Sequence, residues 1–378
     1  MSTLRPQPFR IAVSQNDLDD LRYRLQHARQ PYSPEGAGWS RGTDAAFMDR
    51  FRTHWLERYD WRKQEATLNA LPQFVADVNG TKVHYVHVRG KGPNPTPLLL
   101  VHAYPDSFVR FVKAIGPLTD PAAYGGDPSL SFDVIIPSLP GFGFSDPTPM
   151  SVDATADLFA ALMKGLGYTR YVAGGGDGPI PMAMSQRHAS EVAGIYVVDV
   201  GYPDGSTDFA SLTAEEREFA QWIQSWWMRD GAFNMIQSTK PQSLAFALND
   251  SPLGLAAWLM ILFASNAEDK VEERFTLDDL ITNAMIYWVS GSIGTAMASY
   301  LEAARAVWGN PSAPKPERSA VPAAFARMPL DAPAPRAWAE RKVNVVQFTE
   351  MQKGGHHSSW EVPEAFAQDL RAFLQKIR

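Results

Sequence analysis

Short apolar runs alternate with amphipathic segments through the middle of the chain. Such runs predict buried strands over residues 98–101, 132–136, 171–173 and 193–200. Between the second and third runs, residues 154–166 have the spacing of an amphipathic helix. Strands that alternate with helices predict an α/β fold built on a mostly parallel, doubly wound sheet.

The first 95 residues have a different pattern. Helical spacing over 17–27 and 48–56 precedes two short strands at 74–78 and 82–88. Asn79-Gly80 between these strands is a strong signal for a tight hairpin turn. We therefore expect residues 1–95 to form an N-terminal segment that wraps around the sheet.

A long helical region interrupts the predicted sheet. Residues 205–315 are rich in tryptophan and methionine, lack strand signals, and include apolar stretches at 253–263 and 280–300 that predict helices. We interpret this region as a helical cap inserted between strands, with residues 309–316 as the linker that returns from it. The core is then divided into residues 96–204 and 316–378, the second part having predicted strands at 320–325 and 343–348 and a helix at 364–377.

The segment Tyr171-Val-Ala-Gly-Gly-Gly-Asp-Gly178 joins a predicted strand to a predicted helix that Pro179 opens. Strand, tight turn and helix in this order are the pattern of a nucleophile elbow. The turn predicts a strained backbone at its central residue and small neighbours on both sides. That residue is Asp177 instead of the familiar serine, and a carboxylate nucleophile forms an ester. A glycine-rich loop that binds phosphate is the alternative at this stage.

An acid and a histidine follow Asp177 in the chain. They complete the order nucleophile, acid, histidine that folds with a nucleophile elbow use for catalysis. Asp331 follows the strand at 320–325, and His356 follows the strand at 343–348. We expect Asp331 to orient His356, which would activate water against the ester. His357 is expected to point elsewhere, and the alternative acids are Glu340 and Glu350.

Two backbone N–H groups are candidates for an oxyanion hole, those of Gly178 and Tyr104. Tyr104 lies in His102-Ala-Tyr-Pro105, where a cis peptide before Pro105 is expected. His102 and Pro105 are candidate substrate contacts. If the substrate is an epoxide, Tyr300 is the candidate phenol that donates to the opening ring, and simple packing is the alternative reading of that tyrosine.

Composition narrows the class of protein further. The 378-residue chain has a net charge of −6 and no long basic run, which argues against nucleic acid as a partner. It has no cysteine, so disulfides and thiolate metal sites are excluded, and we expect neither a metal nor a cofactor. No signal peptide or membrane span is visible, so a cytoplasmic location is expected. A homodimer is compatible with these features.

These motifs resemble the epoxide hydrolases of the microsomal and juvenile-hormone type, including bacterial relatives from natural-product pathways. The resemblance covers nearly all of the chain and is carried by Tyr-Asp-Trp-Arg-Lys-Gln-Glu at 59–65, Pro-Ser-Leu-Pro-Gly-Phe-Gly-Phe-Ser at 137–145 and Leu-Asp-Asp-Leu-Ile-Thr-Asn at 277–283. It implies an α/β-hydrolase fold with a cap, and an epoxide and water as the partners. By the same resemblance, Asp177 corresponds to the nucleophile and Asp331 to the acid. His356 corresponds to the base, and Tyr300 to one of the two ring-opening tyrosines.

Three departures from the family pattern affect the expected site. The usual His-Gly-Trp-Pro-Gly-Ser is His102-Ala-Tyr-Pro-Asp-Ser107 here, and Gly178 stands where tryptophan is usual. The second ring-opening tyrosine falls on Phe233, which has no hydroxyl. Trp226 and Trp227 are candidates to replace it, because an indole N–H is a donor, and packing is their alternative role.

The cap tryptophans suggest a large, flat, apolar epoxide as substrate. Two other functions stay open from the sequence. One is a dehalogenase that uses the same aspartate to displace halide, and the other is a homologue that binds a ligand without turnover.

Overall fold

A nine-stranded sheet forms the centre of the protein in the computed structural model, which describes residues 4–205, 207–267, 270–308 and 317–378. The spatial order of the strands is β1-β2-β3-β5-β4-β6-β7-β8-β9. The first three neighbouring pairs are antiparallel and the other five are parallel. The strands are β1 Gln7–Pro8, β2 Gln73–Val78, β3 Thr81–Val88, β4 Thr96–Val101, β5 Phe132–Pro137, β6 Tyr171–Gly175, β7 Val192–Val197, β8 Pro322–Arg327 and β9 Asn344–Glu350.

Helices precede the sheet, cover it, and fill the interval between β7 and β8. Before β2 lie α1 Gln15–Gln26, α2 Ala45–Glu57 and α3 Trp61–Asn69. Within the sheet region lie α4 Val112–Thr119, α5 Val152–Gly165, α6 Pro179–Arg187, α14 Arg336–Glu340, α15 Ser358–Glu361 and α16 Pro363–Ile377. Between β7 and β8 lie α7 Ala214–Asp230, α8 Ala232–Thr239, α9 Pro241–Leu248, α10 Pro252–Ala264, α11 Val271–Arg274, α12 Leu277–Ser290 and α13 Ile293–Trp308. We call this last group the helical insertion.

The predicted α/β fold class is confirmed, as is the hairpin at Asn79-Gly80. Both turn residues have positive φ, +54° and +87°, and Val78 pairs with Thr81 across the turn. The linker predicted at 309–316 lies outside the described residues.

Two element predictions were wrong. The strand predicted over 193–200 ends at Val197, so Asp199 lies beyond the sheet. The helix predicted over 280–300 is two helices, because Gly291 adopts a left-handed conformation (φ +63°) that ends α12 after Ser290. Tyr300 therefore lies within α13 rather than at the end of one long helix.

The sheet topology sets the position of the site. Strands β4 to β9 run parallel, so the loops that follow β4, β6, β7, β8 and β9 meet at one edge of the sheet. Of these strands, β4, β6, β7 and β8 are mostly apolar and buried, which fixes where each loop begins, whereas β9 at the end of the sheet is partly exposed.

Polar side chains of the N-terminal segment hold the helical insertion. His54 Nε2 lies 2.7 Å from Asp278 Oδ1, and the Tyr59 hydroxyl lies 3.0 Å from the hydroxyl of Thr282, both on α12. Thr43 donates its hydroxyl to the carbonyl of Ala257 on α10 at 2.6 Å. The insertion is thus tied to a segment that comes 214 to 224 residues earlier in the chain. In the ranges given above, no helix combines the length and hydrophobicity needed to span a bilayer.

Candidate active site

Asp177 lies in the turn between β6 and α6, as the elbow pattern predicts. A Cβ atom on Gly175 would lie 2.4 Å from the carbonyl oxygen of Val101, and one on Gly178 would lie 2.1 Å from that of Asp199. Close packing therefore requires small residues on both sides of Asp177.

The backbone strain predicted at Asp177 is not seen. Among the described residues, the only non-glycine positions with positive φ are Asn79 and Asn266. The glycines of the turn allow neighbouring backbone to approach, which makes the elbow tight without a left-handed aspartate.

Three elements bring the predicted nucleophile, base and acid together. His356 Nε2 lies 2.6 Å from Asp177 Oδ1, and His356 Nδ1 lies 3.0 Å from Asp331 Oδ2. Asp331 follows β8 and also accepts the N–H of Ala332 at 2.7 Å. The alternative acids are occupied elsewhere, since Glu340 pairs with Arg336 and Glu350 pairs with Arg327.

The charges of this group hold a proton on the histidine. Burial alone would lower the pKa of His356, but the carboxylates of Asp331 and Asp177 outweigh it and raise that pKa well above the usual value. Burial also opposes ionisation of Asp331, yet His356 keeps the pKa of Asp331 below its usual value. Asp177 Oδ1 is buried, and no donor in the described part of the chain is aligned with it for a hydrogen bond. The contact with His356 is therefore a close ion pair.

The loop after β4 carries the predicted oxyanion residue Tyr104, and its peptide bond to Pro105 is cis, as predicted. Within the described ranges, the backbone N–H groups of Tyr104 and Gly178 donate to no protein atom, so they are available to a ligand. The carbonyl of Pro105 accepts from Asn283 Nδ2 at 2.8 Å, which fixes this loop against α12. His102 is buried, and its Nε2 accepts the N–H of Leu139 at 3.0 Å.

A buried charge cluster lies beneath the loops that carry Tyr104, Asp177 and His356. Asp106 accepts from Arg110 at 2.5 Å, accepts the N–H of Ala103 at 2.8 Å, and lies 3.2 Å from His357 Nδ1. Arg110 also donates to the carbonyl of His356 and packs on Gly176, where a Cβ atom would overlap the guanidinium. His357 thus points away from the nucleophile, as expected. One arginine links the elbow, the oxyanion loop and the histidine loop.

Two cavities meet at Asp177, and both are also lined by Tyr104 and Tyr300. The first, about 240 Å³, we call the tryptophan cavity; its other walls include Trp222, Trp226, Trp227, Phe233 and the predicted contact Pro105. The second, about 230 Å³, we call the aliphatic cavity; it continues past His102, Leu139, Met150, Val152, Ile180 and Ala303.

Aromatic side chains form one wall of the tryptophan cavity. The ring of Tyr300 lies edge-on to that of Phe233 with centroids 6.0 Å apart, and Phe233 lies 6.2 Å from Trp226. Trp226 Nε1 donates to Ser265 Oγ at 3.2 Å, so this indole N–H already has a partner. Trp227 packs edge-on to Trp226 at 4.9 Å.

Asp199 and Tyr202 are among the cavity residues that sequence reasoning missed. Burial, followed by the nearby charge of Asp177, raises the pKa of Asp199 to about 7. Both residues follow β7 at the same sheet edge as the catalytic loops, which is the signal that could have found them. Within the described ranges, no group of side chains has the arrangement of a metal site.

Comparison with known proteins identifies the fold family of this architecture. A model described as "alpha/beta hydrolase fold" matches residues 96–305, and one described as "Epoxide hydrolase N terminus" matches residues 6–111. Superposition on Aspergillus niger epoxide hydrolase gives a TM-score of 0.84 at 24% identity, covering all of this chain and 97% of that one, which shows the fold. By fold, the protein is an α/β-hydrolase.

Closer relatives narrow the assignment. The chain is 31% identical to "Epoxide hydrolase 1" of Oryctolagus cuniculus over 97% of its length and 88% of that protein. Its structure matches juvenile hormone epoxide hydrolase from the silkworm Bombyx mori with a TM-score of 0.86 at 27% identity, covering 99% of this chain and 95% of that one. The chain belongs to the epoxide hydrolase family, whose enzymes add water to an epoxide.

Proposed function

We propose that the protein opens its epoxide through a covalent ester on Asp177. A carboxylate oxygen of Asp177 bonds to an epoxide carbon, the ring C–O bond breaks, and the electron pair stays on oxygen. The hydroxyl of Tyr300, on the wall of the same cavity, donates a proton to that oxygen. Burial, followed by the charge of Asp177, raises the pKa of Tyr300 far above its usual value, so this phenol remains a donor.

In the second step, His356 passes its resting proton to the Tyr300 phenolate, and the neutral imidazole then takes a proton from the water that attacks the ester carbonyl. The negative oxygen that develops on the acyl carbon is stabilised by the N–H groups of Gly178 and Tyr104. Collapse breaks the bond between the acyl carbon and the substrate oxygen. The second proton of the water passes to that oxygen, which releases the diol and restores the Asp177 carboxylate beside a protonated His356. Water supplies both protons of the diol hydroxyls, so the cycle balances.

The electrostatics of the site support a base that becomes active only after ring opening. In the resting site, Asp177 and Asp331 keep a proton on His356. Ester formation removes the charge of Asp177, and with it one of the two groups that raise the histidine pKa. His356 is then able to pass its proton to the Tyr300 phenolate and accept another from water. The proximity of His356 Nε2 to Asp177, at 2.6 Å, is the observation that carries this proposal.

The two cavities support a bulky apolar epoxide as the substrate, of the kind found among natural products. An epoxide held between Asp177 and Tyr300 would extend its flat, aromatic part along the indoles of the tryptophan cavity. A substituent on the other ring carbon would enter the aliphatic cavity. In this arrangement the helical insertion acts as a cap that excludes bulk water from the ester.

The ester is tested with His356→Gln. This variant should alkylate Asp177 but hydrolyse the adduct very slowly, so intact-protein mass spectrometry should show the mass of protein plus epoxide. Peptide mapping should place the adduct on Asp177, and Asp177→Asn is the matched control that should stay unmodified. Turnover of wild-type enzyme in H₂¹⁸O should label the Asp177 carboxylate, and a label found only in the diol would show direct attack by water.

A further inference from the structure

The wall opposite the nucleophile lacks a hydroxyl at Phe233, where the family that this chain resembles has its second ring-opening tyrosine. The phenyl ring of Phe233 still lies on the cavity wall, 6.0 Å from the ring of Tyr300. It fills space and donates nothing. If two donors share the developing alkoxide, the second has to come from another cavity residue.

Tyr202 brings another phenol into the same cavity. It lies in the loop after β7 and lines the tryptophan cavity together with Asp177 and Tyr300. Its ring centroid is 6.1 Å from that of Trp226, which is in turn 6.2 Å from Phe233. The aromatic wall is therefore continuous and has a phenol at each end, Tyr300 and Tyr202, with the missing hydroxyl between them.

The backbone before Tyr202 is held firmly in place. Gly201 adopts a left-handed conformation (φ +75°), and its N–H donates to Asp199 Oδ1 at 2.7 Å. Its carbonyl accepts from Trp338 Nε1, also at 2.7 Å, and Trp338 is almost fully buried. A donor carried by such a loop needs little reorganisation during the reaction, which is the condition for effective stabilisation of an oxyanion.

The Tyr202 hydroxyl is available to a substrate. Within the described part of the chain it takes part in no hydrogen bond, whereas Trp226 Nε1 is already used by Ser265. Burial, followed by the carboxylates of Asp199, Asp331 and Asp177, raises the pKa of Tyr202 well above its usual value. It remains protonated at neutral pH and can donate a hydrogen bond to a developing alkoxide.

We propose that Tyr202 supplies the second hydrogen bond to the epoxide oxygen during ring opening, in place of the phenol absent at Phe233. The inference rests on the aspartyl-ester mechanism proposed above. As the ring C–O bond breaks, the oxygen accepts hydrogen bonds from Tyr300 and Tyr202 and takes one proton. The phenolate so formed takes the proton that His356 holds in the resting site, and the neutral His356 then accepts a proton from the attacking water.

The test measures ester formation alone, in the His356→Gln background, with styrene oxide or stilbene oxide, whichever the wild-type enzyme hydrolyses. Tyr202→Phe keeps the ring against Trp226 and removes only the hydroxyl. We expect the maximal alkylation rate to fall by about 10²-fold, with a much smaller change in the half-saturating epoxide concentration. Tyr85→Phe is the matched control, because the Tyr85 hydroxyl is buried in the sheet without a partner in the described chain.

Rescue separates chemistry from packing. Adding Phe233→Tyr to Tyr202→Phe restores a phenol on the same wall and should recover part of the alkylation rate. The expected loss is about 10²-fold, so an alkylation rate of Tyr202→Phe within about twofold of the parent rate would overturn the inference. So would a loss that occurs only in Tyr202→Ala, since that identifies a packing role. No ester in the His356→Gln parent, from an epoxide that wild type hydrolyses, would instead refute the aspartyl-ester mechanism.

Discussion

Asp199 provides a quantitative test of the electrostatics of the site through its effect on stability. Its pKa is raised from the usual 3.8 to about 7 in the folded protein, first by burial and then by the charge of Asp177. Between these two pH values the folded chain holds a proton that the unfolded chain has released. The free energy of unfolding therefore falls as pH rises through this window, because folding then requires a proton from solution or a buried charge.

The magnitude follows from the size of the shift. Each pKa unit corresponds to about 1.4 kcal/mol, so a shift of roughly three units corresponds to at most about 4 kcal/mol. From pH 5 to pH 7 the loss attributable to Asp199 should be about 2–3 kcal/mol. Asp199→Asn cannot ionise and should be free of this loss. Relative to wild type, the variant should become more stable as the pH rises.

Urea unfolding of wild type and Asp199→Asn at pH 5, 6, 7 and 8 provides the measurement, with equal m-values required. Asp120→Asn is the control. The hydrogen bond from Lys91 lowers the pKa of Asp120, so this group stays ionised throughout and the stability difference between this variant and wild type should not change with pH. A constant difference between wild type and Asp199→Asn would refute the raised pKa and the charge arrangement behind it.

Three further predictions concern the acid, the buried cluster and the aliphatic cavity. Asp331→Asn should lower kcat by about 10²–10⁴-fold through loss of histidine orientation, and a rate close to wild type would refute its role as the acid. Asp106→Asn leaves Arg110 without its carboxylate and should reduce the urea-derived free energy of unfolding by about 3–5 kcal/mol, whereas less than about 1 kcal/mol would show that the cluster is not coupled. Ala303→Trp should fill the aliphatic cavity and reduce kcat/KM for stilbene oxide by about 10–200-fold while sparing styrene oxide; equal effects on both epoxides would contradict the two-cavity arrangement.

The parts of the site that follow strand ends in a fixed chain order could be predicted from the sequence. Asp177 is marked by glycines on both sides, and Asp331 and His356 follow predicted strands in the order that this fold requires. The structure brings all three within hydrogen-bonding or ion-pair distance. The sequence could not separate Asp331 from its acidic neighbours, because only the fold shows that Glu340 and Glu350 pair with arginines.

Residues whose position depends on the exact end of an element could not be predicted. Asp199 stands between two valines, so the apolar run predicted a strand through residue 200, and an aspartate within a strand has no reason to line a cavity. The real strand ends at Val197, which places Asp199 and Tyr202 in the site. Gly291 caused a similar error in the helical insertion. The apolar spacing continues across it and predicted one helix, but its left-handed backbone ends α12.

The bonds between the N-terminal segment and the helical insertion affect how substrate reaches the nucleophile. α12 cannot swing away from the sheet without breaking the contacts that His54 and Tyr59 make to it. We therefore expect entry and exit to depend on rotation of side chains at the cavity mouth rather than on hinge opening. For large epoxides, release of the diol through the cavity mouth would then limit kcat. For small epoxides, the chemical steps would limit it.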